Sequence, residues 1–390
     1  MCVKWGLVKR VWTVIENQDQ ECDVNKNGSN DKYDKIFDEY KDVFEGLGEL
    51  PGVHVIKLRD DAEPVVEACR KVPFALHEKL KNELNRMEKL GVISKVTEPT
   101  EWVNSLVIVT KPNGDLRVCL DPRNLNKAVK REHYKLITRE EIMSKFANSK
   151  VFSKFDASSG FWQMKLDENS SDYCCFNSPF GRYKFLRLPF GICSASEVFS
   201  RTIDDIFADI KGVETNVDDI IVHGKDDDDH DETVVKMLNR CREVGLKLNK
   251  SKCVMGVTEL VFIGDLLTNE GVKPDPSKID AIVNMDRPID KPGLQRFLGM
   301  VNYLARYIPD LSNRTAPLRV LLDKNNAWVW EHEQEKAWND LKEVLSSEPI
   351  LKYYDIDKPI LVSSDASQSG IGCVLLQLID DQWHPVAYGS

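Results

Sequence analysis

Apolar residues at Leu76, Leu80, Leu84, Met87 and Leu90 recur every three or four positions, and Gly91 stands where a helix C-cap belongs. That spacing predicts an amphipathic helix. Further helices are predicted over Asp31–Leu47, over Ser194–Ile210 (Val198, Phe199, Ile203 and Phe207 inward) and from Glu232 to Val244, before Gly245. β-rich runs at Ser105–Thr110 and Leu116–Leu120 flank Asn113-Gly114, a hairpin signal. Val151–Phe155 reads as a strand running into Asp156. Asp172–Phe176 and Arg182–Leu186 read as strands about Pro179-Phe180-Gly181, and Val213–Val222 as strand–turn–strand. One strand is expected near Val261–Leu267, helices from there to Leu345, and strands again at Ile360–Ser364 and Gly370–Gln377. Helices and strands interleave without strict βαβ order, which predicts an α+β class. Residues 1–30 read as an irregular extension.

Composition places the chain among globular proteins: 42% of its 390 residues are hydrophobic and 30% charged. No run approaches the roughly 18 apolar residues of a membrane helix, and no signal peptide is legible. Ten irregularly spaced cysteines fit a reducing, intracellular compartment. The net charge of −10 argues at first against a nucleic-acid partner. From Lys79 to Lys154, however, 16 Lys/Arg stand against 9 Asp/Glu, a local charge of +7, which leaves −17 elsewhere.

Three aspartates carry the candidate chemistry. Asp156 ends an apolar strand, and Asp218-Asp219 interrupt the run Thr215–Val222. Strands disfavour Asp. Neighbouring strand residues point to opposite faces, so Asp218 and Asp219 converge only in a tight hairpin turn, beside the end of the Asp156 strand. Clustered carboxylates need a cation or protons. Mg²⁺ suits them, because it takes hard oxygen ligands and completes its shell with water and substrate phosphates. An isolated Asp-Asp is otherwise an ordinary polar turn. The run Asp226–Glu232 is a solvated acidic helix start, not a metal site.

Ordered blocks raise this to a family resemblance. Gly91-Val92-Ile93 with Trp102–Ser105, Lys111–Gly114 with Arg117–Asp121 and Leu125-Asn126, Phe155–Phe161, Leu188–Gly191, Asn216–Asp219, Leu246–Asn249 with Lys252-Cys253, and Phe262-Ile263-Gly264 follow one another. The series resembles the reverse transcriptases of gypsy-type LTR retrotransposons and retroviruses. Leu361–Ser367 with Gly370–Gln377 resembles the opening strands of the tethered ribonuclease H domain.

The resemblance implies a right-hand polymerase (fingers, palm, thumb) followed by a truncated ribonuclease H-like segment. It divides the chain into an N-terminal extension (1–50), fingers and palm (51–270), thumb and connection (271–350) and an incomplete ribonuclease H-like start (351–390). Asp156 and Asp218 would hold two Mg²⁺ ions, or Mn²⁺ in their place, with Asp219 in support. Lys111 and Arg117 would clamp the nucleotide phosphates. Phe161 would be the steric gate against a 2′-hydroxyl. Ala157, Phe190, Gly191 and Gln163 would line the nucleotide pocket, and Lys252 would protonate the leaving pyrophosphate. Asp365 would be a first ribonuclease H ligand, alone and without that activity.

The implied partners are an RNA or DNA template with its primer and deoxynucleoside triphosphates, and no membrane. The implied setting is the cytoplasm or a virus-like particle. Asn216 departs from the family's Tyr, Asp265 from its His or Tyr, and Pro122 from an aromatic. Those departures keep a second reading open, a catalytically decayed or domesticated nucleic-acid-binding remnant.

Overall fold

The computed structural model describes residues 31–110, 114–366 and 370–390. Residues 1–30 and Lys111 lie outside them. The chain divides into two compact units, Met1–Lys41 and Asp42–Ser390. In the first, the described element is the helix Asp31–Glu39, shorter than the pattern predicted.

The second unit is built on a four-stranded antiparallel sheet. Its strands lie in the order Val254–Val257, Val151–Asp156, Asp219–Gly224, Val213–Asn216. Alternation along these strands separates two faces. One presents Phe155, Ile220 and Val222, all fully buried, to the helices Ala195–Phe207 and Asp227–Val244. The second helix starts five residues earlier than its apolar pattern suggested. Asp226 caps it, its side chain accepting the Asp229 N–H at 2.9 Å, and the acidic first turn suits the helix dipole. A buried row ties this helix to the sheet: Ser153 Oγ lies 2.8 Å from His230 Nε2, whose Nδ1 lies 3.1 Å from Asp231.

The other face carries Asp156, Lys154, Asp219 and Asn216 at its upper end. Lower down, Phe152 and Ile221 enter a hydrophobic core shared with the C-terminal helices, including Phe297, Trp338, Leu341 and Leu345. Those helices span Pro276–Val283, Lys291–Tyr303, Leu311–Val320 and His332–Ser346. Asp265, wholly buried, locks the junction. It accepts both Arg139 Nε and Nη2, and the Tyr307 hydroxyl at 2.6 Å.

The predicted hairpin forms, with Ser105–Thr110 pairing antiparallel to Leu116–Asp121. Three expectations change. Asp172 and Tyr173 lie in a helix, Glu168–Tyr173, because Asp167 caps it by accepting the Ser170 N–H; the strand starts at Cys175. The run Val261–Leu267 is two strands, Glu259–Phe262 and Asp265–Thr268, turning at Ile263-Gly264, both at positive φ. The C-terminal segment holds three strands, Ile360–Ala366, Ile371–Ile379 and Gln382–Gly389, the first exposed throughout. No helix among the described residues is long and apolar enough to cross a membrane.

Candidate active site

The carboxylates are placed by strand register. Asp219 stands directly opposite Asp156 on one side and Asn216 on the other. Residues in register share a face, so Asn216, Asp219 and Asp156 form a row across three strands. The hairpin turn is the two residues Val217-Asp218. Of these, Val217 alone has positive φ, at 53°. This is the type II′ pattern, whose first position usually belongs to glycine. A β-branched residue there is strained, and the strain buys a turn tight enough to swing Asp218 toward Asp156.

The turn is stitched to the loop that follows Asp156. The Ala157 N–H donates to the Asp218 carbonyl at 2.8 Å, and Ala157 also bridges to Leu248. Ser159 adopts a left-handed conformation and leads into a short 3₁₀ turn, Gly160–Gln163. Gly160 is there for space: a methyl on it would meet Asp218 Oδ1 at 2.6 Å and Phe199 Cζ at 2.7 Å.

Charge is distributed unevenly over the trio. Lys252 Nζ lies 3.2 Å from Asp156 Oδ2, and Lys154 Nζ lies 3.0 Å from Asp219 Oδ2. Among the described residues Asp218 has no such cation, and its Oδ1 is buried without a hydrogen-bond partner. Burial, and then the Asp156 and Asp219 charges, push the Asp218 carboxyl up to about 6, against the weaker pull of Lys252 and Arg117. Burial also raises Asp156, while Lys252 opposes the rise. Lys252 is set in place through the backbone: the Asn249 N–H donates to the Asp156 carbonyl at 2.8 Å, and the Lys252 N–H to that of Asn249.

These donors fit a hard divalent cation. An orphaned buried carboxylate oxygen beside a second carboxylate is an unsatisfied hard ligand pair. Among the described residues, no three His, Cys, Asp or Glu side chains close into a cage. Mg²⁺ is usually held by one or two carboxylates, with substrate phosphates and water completing its shell, and Asp156 with Asp218 offers such a pair.

The surrounding residues fall into two groups. Phe161 is mostly buried and packs on Phe190 (centroids 5.0 Å apart) and Phe199 (5.4 Å). The exposed Arg117 lies over the Phe190 ring at 5.8 Å. The Phe190–Gly191 corner is anchored to the hairpin: Leu120 N–H donates to the Phe190 carbonyl, and Asn126 Nδ2 to that of Gly191. Gly191, at φ 110°, has the Leu120 carbonyl where a Cβ would go. Asp156, Ala157, Phe161, Phe190, Gly191, Asp218, Asp219, Arg117 and Lys252 are therefore linked by contact or charge.

Gln163 differs from the expectation. It is wholly buried, and its Nε2 donates to the Ser158 and Lys247 carbonyls while its Oε1 accepts the Lys247 N–H, each at 2.8 Å. It is a strut between the Asp156 loop and the Lys247 segment. Asp365 lies apart on an exposed strand, its carboxylate accepting the Ala366 N–H. Two residues were missed from sequence. Asn126 stood in a motif block but was given no role, because its partners are the distant backbone groups of Gly191 and Cys193. Lys154 was legible, since two residues before Asp156 on a strand means the same face.

Comparison with known proteins bears on this arrangement. Residues 109–274 match the family model described as reverse transcriptase (RNA-dependent DNA polymerase), and residues 330–390 match the RNase H-like domain found in reverse transcriptase. The transposon Tf2-3 and Tf2-7 polyproteins of Schizosaccharomyces pombe are each 32% identical over 316 residues, 80% of this chain. The chain spans 23% of the length of those relatives. Among solved structures, a foamy viral protease–reverse transcriptase in complex with double-stranded DNA superposes with a TM-score of 0.82 at 22% identity, covering 93% of this chain and 77% of that one. The same viral protein in complex with an RNA/DNA hybrid gives 0.79 at 22% identity, covering 93% and 50%. The fold is thus that of a right-hand polymerase, and the chain belongs to the reverse transcriptase family, whose polymerase model spans residues 109–274 and whose RNase H-like segment spans residues 330–390.

Proposed function

We propose that this chain is an RNA-directed DNA polymerase that adds deoxynucleotides to a primer 3′-hydroxyl on an RNA or DNA template. The observation that carries the reading is the register of Asp219 with Asp156 and the unpartnered Asp218 oxygen in the turn between strands. The viral proteins of like fold are bound to double-stranded DNA and to an RNA/DNA hybrid, and the +7 window from Lys79 to Lys154 supplies the phosphate attraction such duplexes need. Fingers and palm would take up residues 51–270, thumb and connection 271–350, and the ribonuclease H-like start 351–390. The setting is the cytoplasm or a virus-like particle.

Asp156 and Asp218 would hold the Mg²⁺ ions, or Mn²⁺. Bound there, the ions would activate the attacking hydroxyl and offset charge on the phosphates. The chain's own residues do the rest. Asp219 supports the pair. Arg117 would draw in the triphosphate, and Lys111, six positions before it in sequence, would add a second cation where charge develops. Phe161, backed by Phe190 and Phe199, presents a flat wall beneath the sugar and excludes a 2′-hydroxyl. Ala157, Phe190 and Gly191 shape the pocket around it. Lys252, half-exposed beside Asp156, is free to swing to the leaving pyrophosphate and donate a proton.

The test is extension of a primer on an RNA template, with deoxy- and ribonucleotides compared. Phe161→Ala should narrow the discrimination between them. Duplex binding without any extension would favour the decayed-remnant reading, which Asn216 keeps alive by standing where the family has a tyrosine ring.

A further inference from the structure

The two hairpin carboxylates are adjacent in sequence but do not share an environment. Asp218 is orphaned in the turn, whereas Asp219 lies in register between Asn216 and Asp156 and is ion-paired to Lys154 at 3.0 Å. Lys154 stands two residues before Asp156 on the same strand, so its side chain rises on the carboxylate face. The two lysines of the site differ in freedom. The Lys252 side chain is 52% exposed, on a short 3₁₀ turn, and can leave Asp156. The Lys154 side chain is 28% exposed, between strands, and its partner Asp219 is 26% exposed. A half-sheltered pair within a sheet face is held more firmly than an exposed one.

We infer that Lys154 is a positioning residue that keeps Asp219 charge-compensated, so that cation binding is directed to the Asp156–Asp218 pair. The physical problem it solves is one of choice. Three carboxylates within one turn and one strand end offer a divalent cation several alternative pairs, and only one pair places Asp218 and Asp156 together. An ammonium fixed on Asp219 removes the competing pairs without removing the carboxylate that helps raise Asp218. This inference rests on the polymerase reading for its meaning but not for its test.

The test is a double-mutant cycle on the full chain, read in two ways. Mg²⁺ alone is titrated against nucleotide-free protein by intrinsic tryptophan fluorescence, and kcat and KM for nucleotide are measured by primer extension. Lys154→Met should tighten Mg²⁺ binding on the order of fivefold, as Asp219 becomes available, while kcat falls and KM changes little. Lys154→Arg should restore both. Asp219→Asn in the Lys154→Met background should return the Mg²⁺ affinity to that of Asp219→Asn alone, because the restrained carboxylate is gone. Independent, multiplicative effects of the two substitutions, or unchanged Mg²⁺ binding in a Lys154→Met protein with an unaltered melting temperature, would overturn the inference. Absence of extension by the unmutated chain, with the Mg²⁺ pattern intact, would count against the polymerase reading and not against this one.

Discussion

At the scale of single residues, Asp218 is the residue on which the site turns. Its folded carboxyl, raised to about 6, binds a proton more tightly than an unfolded one near 3.9. The stability that Asp218 contributes is therefore present below about pH 4 and is lost as the pH rises through about 6. Charged at neutral pH, it costs the fold. Asp218→Asn should raise stability by about 1–2 kcal/mol at pH 7.5 in the absence of divalent ions, and thermal melting in chelator will check this. A lowered melting point would mean that the carboxylate is better satisfied than the geometry indicates. Gly160 gives a second prediction. Gly160→Ala places a methyl against Asp218 and Phe199, so extension should fall by at least tenfold in kcat while circular dichroism is unchanged. The aspartates were legible in sequence because Asp inside apolar strand patterns is out of place. Gln163 was not, because its three partners are backbone groups that only the folded chain brings together.

At the scale of elements, the Asp218-Asp219 hairpin was predictable as strand–turn–strand, yet its strain was not. Nothing in Asn-Val-Asp-Asp announces a valine at positive φ; register imposes it, since Asn216 and Asp219 must pair and leave two residues to turn. Val217→Gly should therefore escape the usual cost of about 1 kcal/mol for glycine in a strand, as read by urea denaturation. A full loss of that size would show that the turn is relaxed. The Gln163 strut makes the opposite prediction. Gln163→Ala leaves the Lys247 N–H and the Ser158 carbonyl without their Gln163 partner, while the Lys247 carbonyl keeps the Ser158 N–H, and should cost about 2–4 kcal/mol, with KM for nucleotide unchanged. A raised KM at unaltered stability would restore Gln163 to the nucleotide pocket. Elsewhere, caps decided what periodicity could not. Asp167 turned an expected strand into a helix, and Asp226 lengthened another.

At the scale of the whole molecule, the polymerase-like sheet and the C-terminal helices share one hydrophobic core, from Phe146 and Phe152 to Leu345 and Tyr353. The Arg139–Asp265–Tyr307 cluster pins that junction. The sequence marked Asp265 only as a departure from family pattern; its burial and its partners, 126 and 42 residues away, could not be read from spacing. Asp265→Ala strands Arg139 and should cost about 3–5 kcal/mol, with unfolding of the C-terminal half monitored by the fluorescence of Trp338. The charge asymmetry also belongs to this scale. A chain of net charge −10 should still bind duplex with affinity that falls steeply with salt if the +7 window from Lys79 to Lys154 supplies the phosphate contacts.

The central claim is that Asp156 and Asp218 form the metal-dependent nucleotidyl-transfer site. The most direct measurement is primer extension on an RNA template with Mg²⁺, comparing the unmutated chain with Asp218→Asn at equal duplex occupancy. The account predicts processive addition of deoxynucleotides by the former and a loss of at least about a thousandfold by the latter, despite its higher melting temperature. Extension that survives Asp218→Asn would contradict it.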